Sequence, residues 1–210
     1  MNTSAPALFP MFVKLLGRKC VVVGGGTVAE SKIESLLQAG ANITVVSPEL
    51  TNKLEQLERR GNFTWVRSKF YPSQLDGAFL VIAATSDNAT NEAVFRQADG
   101  RGILCNAVDQ PPRCHFYFPA VVRRGDLQIA ISTNGLSPSL AQRLRKQFER
   151  EFGPEYEDWL RWLGVVRESL MQRNLSFTTR KRLLAYIASR EAFEHWLSTK
   201  AGESVSQEAA

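Results

Sequence analysis

Gly24, Gly26 and Ala29 stand in the order G-x-G-x-x-A within Lys-Cys-Val-Val-Val-Gly-Gly-Gly-Thr-Val-Ala, residues 19–29. Each small residue answers a separate physical need. Gly24 allows a tight strand-to-helix turn, and Gly26 lets the backbone come up against a pyrophosphate. Ala29 lets helix and strand pack closely, while the helix N-terminus offers free N–H groups to phosphate oxygens. A glycine triplet alone is an ordinary loop; this one follows an apolar run and opens a helix-like pattern, the context that gives the fingerprint meaning. Dinucleotide binding by Gly24, Gly25, Gly26, Thr27 and Val28 is the expectation.

Other reactive groups fall where strands end. After the second apolar run come Ser47, Pro48 and Glu49, where an acid would meet the ribose hydroxyls of a nicotinamide dinucleotide. No Arg stands nearby in sequence to receive a 2′-phosphate, so the pattern leans toward NAD over NADP. Thr85-Ser86-Asp87 follows the fourth run; it reads as a helix cap that also faces the ligand crevice. Asp109, in Asn106-Ala107-Val108-Asp109, reads either as a turn former or as a general base. Ser132-Thr133-Asn134-Gly135-Leu136-Ser137-Pro138 joins hydroxyls to a helix start, and Arg143, Arg145, Lys146 and Arg150 follow on that helix. It is either a carboxylate site or a capped helix with a solvated basic face. Cys114 and His115 are adjacent and would point to opposite faces of a strand, so no metal site is expected from them. His195 reads as structural.

These groups need a scaffold, and the first hundred residues supply an alternation of strand and helix. Strands are expected at 18–23, 42–47, 63–67, 79–84 and 103–106, with helices at 27–39 (closed by Gly40), 50–60 (stopped by Gly61) and 88–98. Such alternation implies an α/β fold with a Rossmann-type parallel sheet, helices on both faces and ligand at the carboxyl ends of the strands. The pattern then changes. Runs 116–122 and 127–132 read as a hairpin turning at Arg123-Arg124-Gly125-Asp126. A helix starts at Ser137-Pro138 with Leu140, Leu144 and Phe148 on one face, and further helices cover 156–170 and 178–198. The expected organisation is a dinucleotide-binding domain at 1–112, a small α+β hairpin-plus-helix dimerisation region at 113–152, a C-terminal helical region at 153–200 and a disordered tail at 201–210. Trp159 and Trp162, in so small a segment, suggest an interface, most simply of a homodimer, or packing against the first domain.

Composition narrows the class. Three cysteines without Cys-x-x-Cys spacing argue against disulfides and structural zinc, and Cys20 and Cys105 read as small core residues. The apolar stretch 5–16 is short, interrupted by Pro10 and without a basic leader, and no run is long enough to span a bilayer. A cytoplasmic protein without membrane contact is expected. The net charge of +5 fits a polyanionic small molecule better than nucleic acid, since no nucleic-acid motif or dense basic block is present.

Taken together, Val-Val-Val-Gly-Gly-Gly-Thr-Val-Ala, Val-Val-Ser-Pro at 45–48, Ala83-Ala84-Thr85-Ser86-Asp87, Asn106-Ala107-Val108-Asp109, Cys114-x-Phe116-x-Phe118-Pro119 and the run from Arg124-Gly125 to Ser137-Pro138 resemble the precorrin-2 dehydrogenase / sirohydrochlorin ferrochelatase family. This is the siroheme synthase N-terminal module, which also occurs as a stand-alone protein. The resemblance covers about residues 9–152. It implies a homodimeric enzyme that oxidises precorrin-2, a partly reduced polycarboxylate tetrapyrrole, to sirohydrochlorin with NAD⁺; some members then insert Fe²⁺ to give siroheme, and others only dehydrogenate. On this likeness Asp109 is the catalytic aspartate. Ser132, Thr133, Asn134 and Arg143 face substrate, and Ser47, Pro48, Thr85, Ser86 and Asp87 face cofactor. Where the family often carries Arg-Lys, this chain has Ser31-Lys32, so one phosphate-side contact is expected to be missing. From the length, no methyltransferase domain is expected downstream. Two readings of other classes stand beside this one. An NAD(H)-sensing module would bind cofactor without turnover, and a basic nucleic-acid binder would associate in a strongly salt-dependent way.

Overall fold

A computed structural model describes residues 7–208, with side chains to residue 200. The chain divides into two compact units, Met1–Phe118 and Pro119–Ala210.

The first unit contains a five-stranded parallel sheet in the order β3-β2-β1-β4-β5. Its strands are β1 (Lys19–Val23), β2 (Asn42–Val46), β3 (Thr64–Val66), β4 (Leu80–Ala83) and β5 (Leu104–Ala107), and its helices are α1 (Thr27–Gln38), α2 (Asn52–Arg59) and α3 (Asn88–Asp99). The order reverses between β1 and β4, which is where a crevice opens in folds of this kind. Side chains of β1 alternate between two cores. Cys20 and Val22 pack with Ile33, Leu36, Ile43 and Leu54 on one face; Val21 and Val23 pack with Val81, Val94, Ala98 and Cys105 on the other. A strand buried on both faces needs the continuous apolar run that the sequence shows. Burial also pushes the Cys20 thiol up to about 11 and that of Cys105 up to about 12, so both are core groups rather than nucleophiles.

The first unit extends beyond the expected break at Pro111-Pro112. Residues Cys114 to Phe118 stay with it because Cys114 bridges Asn106 in antiparallel fashion, the His115 N–H donates to the Cys105 carbonyl, and the Asn106 side-chain amide donates to the Phe116 carbonyl at 2.8 Å. His115 is a structural group. Its Nδ1 accepts from the Cys105 N–H at 3.1 Å, and its Nε2 lies 3.1 Å from Asp99 on α3. Cys114 turns the other way, its thiol 3.1 Å from the Ala107 carbonyl.

The second unit opens with the antiparallel hairpin β6 (Ala120–Arg124) and β7 (Leu127–Ile131). The first hairpin strand is shorter than the run at 116–122 expected from sequence, since its leading residues are held by β5 and Pro119 has no N–H for a ladder. Then come α4 (Pro138–Glu151), α5 (Glu155–Gln172), α6 (Phe177–Ile187) and α7 (Arg190–Glu208). Arg124 closes α4, donating to the Phe152 and Glu149 carbonyls at 2.8 Å each and placing a cation at the negative end of the helix. On α4 the buried residue is Ala141; Leu140, expected on the apolar face, is exposed.

The single helix expected at 178–198 is two. Ala188 caps α6, and the Ser189 hydroxyl accepts from the Ala192 N–H at 3.2 Å to start α7; a serine in that role competes with helix continuation. The backbone of 201–208 is helical where a disordered tail is expected, a stretch containing helix formers such as Ala201, Glu203 and Gln207; residues 209 and 210 lie outside the described residues. Trp159 is buried inside the second unit, ringed by Tyr156 at 5.6 Å and Phe193 at 4.8 Å between centroids. Its burial is therefore explained without an interface.

Candidate functional site

The carboxyl ends of β1, β2, β4 and β5 surround a cleft of about 880 Å³. The loop from β1 to α1 forms its floor. A side chain at Gly24 (φ +123°) would place its Cβ 2.3 Å from the Ala84 carbonyl oxygen, and one at Gly25 would fall 2.1 Å from the Glu49 carbonyl oxygen. These two glycines are needed by the protein's own packing. The loop is also tied from behind: the Gly24 N–H donates to Val46, the Thr51 N–H donates to Gly25, and the Ser47 hydroxyl donates to the Glu49 carbonyl at 2.7 Å.

Gly26 differs. A Cβ there would meet nothing within 4 Å, and the residue is exposed on the cleft. It is the N-cap of α1, with no side chain bonded to the helix N-terminus. The first N–H groups of a helix have no intrahelical partner, so this end offers unused donors and positive potential next to open space. The cradle fits the pyrophosphate of a dinucleotide. Ala29, fully buried, brings α1 against the sheet as its position in the fingerprint requires.

Every residue expected to face cofactor lines this cleft: Gly24, Gly25, Gly26, Thr27, Val28, Ser47, Pro48, Thr85, Ser86 and Asp87. Their side chains are not equally available. Asp87 caps α3, accepting from the Ala89 and Thr90 N–H groups at 3.1 Å each. The Thr90 hydroxyl and those two amides hold its carboxyl below the usual range. The Thr85 hydroxyl is 2.8 Å from Asn91 Oδ1, and the Asn91 amide returns a bond to the Thr85 carbonyl at 3.0 Å. Asn91 is almost fully buried and is absent from the sequence-based site; its polar type inside a helix core was the available signal. Replacing Asn91 with Ala leaves the Thr85 groups short of partners. We expect a loss of about 2 kcal/mol of stability, an ordinary cost for orphaned buried polar groups, read as a lower denaturant midpoint with unchanged slope.

Asp109 lies on the same cleft. Its backbone has φ +59°, and the other non-glycine residue with positive φ among the described residues is Asn134, φ +52°. Non-glycine residues occupy this region at a cost, and it gathers at functional positions. The following residues pin the Asp109 turn to α3. Gln110 donates to Asn88 Oδ1 at 2.7 Å, while Arg113 donates to Gln110 Oε1 at 2.5 Å and to Glu92 Oε2 at 2.9 Å. Among the described residues no hydrogen bond or ion pair engages the Asp109 carboxylate, and the residue is exposed on the cleft.

Two cations missed in the sequence also stand here. The Arg67 guanidinium donates to the Pro48 carbonyl at 3.3 Å, and Lys69 lines the cleft. Arg67, distant in sequence, thus reaches the end of β2 in space, where no Arg is expected, because parallel pairing of Val46 with Val66 brings the end of β3 beside Pro48.

In the second unit Thr133 is a turn residue. Its hydroxyl accepts from the Ser137 N–H at 3.2 Å and donates to the Ser137 carbonyl at 3.1 Å. The Ser132 hydroxyl accepts from the Asn134 N–H at 3.1 Å, and Ser137 caps α4. On α4, Arg145 pairs with Glu149; Arg143 is exposed and makes no ion pair among the described residues. Among those residues there is also no group of three metal-ligating side chains, and no helix is long and apolar enough to cross a membrane.

Comparison with known proteins agrees with this geometry. Residues 11–120 match an NAD(P)-binding family model, and residues 124–151 match that of the central region of siroheme biosynthesis proteins. Siroheme synthase 1 of Yersinia enterocolitica is 46% identical over 165 residues, 77% of this chain and 35% of that protein. Siroheme synthase of Methylobacillus flagellatus is 44% identical over 164 residues, 78% of this chain and 35% of its own length. The chain thus spans about a third of the length of these relatives. The solved structure of SirC, a precorrin-2 dehydrogenase, superposes with a TM-score of 0.75 at 30% identity, covering 88% of this chain and 91% of that one.

Proposed function

The chain belongs to the precorrin-2 dehydrogenase family of siroheme biosynthesis, and on that premise we propose that it oxidises precorrin-2 to sirohydrochlorin with NAD⁺. One observation carries the reading: the unpaired Asp109 carboxylate opens on the same cleft as the free N-terminus of α1. NAD⁺ held by the glycine loop supplies the hydride acceptor. Oxidation of a reduced pyrrole carbon removes a hydride and a proton, and Asp109 takes that proton. Its turn, fixed by Gln110 and Arg113, keeps the carboxylate at one place as the reaction proceeds.

For the second unit we propose that Ser132, Thr133, Asn134 and Arg143 contact substrate carboxylates, Arg143 as the free guanidinium. A homodimer is part of the reading. It is supported by the two-stranded sheet, which no third strand extends among the described residues, and by exposed Val165, Phe177 and Tyr186, and light scattering on the purified protein tests it. The division into 1–112, 113–152, 153–200 and 201–210 remains our functional partition of the chain. Three free thiols suit a reducing compartment, and we place the reaction in the cytoplasm.

The test is anaerobic. Protein, NAD⁺ and enzymatically generated precorrin-2 are mixed, and NADH and tetrapyrrole absorbance are followed together. NAD⁺-dependent appearance of sirohydrochlorin supports the proposal; cofactor binding without turnover overturns it in favour of a sensing role. Fe²⁺ as substrate is then added. Siroheme forming faster than background assigns metal insertion to this chain as well, and background formation assigns dehydrogenation alone.

A further inference from the structure

Lys32 occupies an unusual position for a lysine. It stands on α1 one turn beyond Val28, on the same face of the helix, and Val28 lines the cleft. Its ammonium lies 4.1 Å from the centroid of the Phe118 ring, and the Phe118 ring is itself braced edge-on by Phe116 at 5.5 Å. The side chain is half-buried, yet Lys32 makes no ion pair among the described residues. By contrast, Lys53 nearby in the fold is paired with both Glu30 and Glu34.

A surface lysine is normally solvated and mobile. Lys32 is partly stripped of water and held on an aromatic face, an arrangement that keeps a cation in place while leaving its N–H donors unsatisfied. Burial pushes its pKa below the usual lysine range, and the Asp109 carboxylate works against that shift. The two side chains therefore sense each other without forming a bridge. A charge held this way is costly unless a partner arrives.

We propose that Lys32 is a substrate-binding residue that pairs with a peripheral carboxylate of the tetrapyrrole and so fixes which pyrrole carbon faces Asp109. The half-buried Phe118 ring beside the ammonium adds an apolar contact for the hydrocarbon edge of such a macrocycle. This inference rests on the function proposed above and adds a residue to it. It also gives a role to the lysine of Ser31-Lys32 that differs from a phosphate contact.

Lys32→Met keeps the stem packed on Phe118 and removes the charge; Lys32→Arg restores the charge. The measurements are the KM for precorrin-2, the KM for NAD⁺ and the Kd of sirohydrochlorin by absorbance titration at several salt concentrations. Circular dichroism confirms folding of each variant. For Lys32→Met we expect the precorrin-2 KM and the sirohydrochlorin Kd to rise about tenfold or more, the scale of one hydrogen bond to a charged group. The NAD⁺ KM stays unchanged, and the dependence of Kd on salt becomes weaker. Lys32→Arg should recover most of the affinity. A Lys32→Met protein with wild-type Kd and salt dependence overturns the inference while leaving the dehydrogenase reading intact. An unchanged precorrin-2 KM with a raised NAD⁺ KM also overturns it, pointing to a phosphate contact instead. If wild-type protein neither binds sirohydrochlorin nor oxidises precorrin-2, both readings fall together.

Discussion

Asp109→Asn should lower NADH formation from precorrin-2 by at least about a hundredfold, the low end of what a positioned general base contributes. NAD⁺ affinity should stay within a few-fold. The substitution isolates the proton-accepting group unusually well. Asparagine is among the residues that tolerate a left-handed backbone, so the φ of +59° at this position is retained. The bonds of Gln110 and Arg113 to α3 do not involve the Asp109 side chain and hold the turn as before. Asp109→Ala should remove turnover equally, with an added stability loss of about 1 kcal/mol from forcing a less tolerant residue into that conformation. Steady-state rates together with a calorimetric NAD⁺ titration separate the effects. Wild-type turnover in the asparagine variant would falsify the assignment of Asp109 as the base.

Gly26→Val should abolish NAD⁺ binding without unfolding the protein. The backbone at Gly26 has φ −87° and ψ −176°, an extended conformation open to any residue, and the space beyond its Cβ position is empty of protein. The new side chain therefore fills the cradle and nothing else. Its neighbours give the opposite result. Gly24→Ala drives a methyl group to 2.3 Å from the Ala84 carbonyl oxygen, and Gly25→Ala drives one to 2.1 Å from the Glu49 carbonyl oxygen. Those two variants should lose the fold of the first unit, seen as reduced helical signal and a lower thermal midpoint. Normal NAD⁺ affinity in a folded Gly26→Val protein would mean that the pyrophosphate does not approach this glycine.

The first unit was largely legible in the sequence because its signals are local and agree with one another. Apolar runs end at glycines, Asp87 caps the next helix, and the continuous apolarity of 80–83 marks a strand buried on both faces. The glycine loop and Asp109 could be placed because both sit where strands end, and the order of strands in such a sheet brings those ends together. What escaped depends on partners distant in sequence. Arg67 reaches Pro48 only through pairing of β2 with β3, and Lys32 meets Phe118 from the far end of the unit. Residues 116–118 alternate like a strand, yet the Phe116 carbonyl accepts from Asn106 rather than from a hairpin partner. In the second unit one serine, Ser189, divides what hydropathy reads as a single helix. The aromatic cluster around Trp159 likewise explained by internal packing a residue whose size suggested an interface.

The helix α1 begins without a side-chain cap, and this reaches beyond recognition of a phosphate. A helix end that waits for its ligand makes the durability of the first unit depend on how much cofactor surrounds it. At a cofactor concentration a hundred times its Kd, binding adds about 2.7 kcal/mol to the folded state, a large share of the margin by which an ordinary domain stays folded. Starved of cofactor, the chain would open more often and meet proteases more often. Its abundance in a cell would then follow the supply of the molecule it binds.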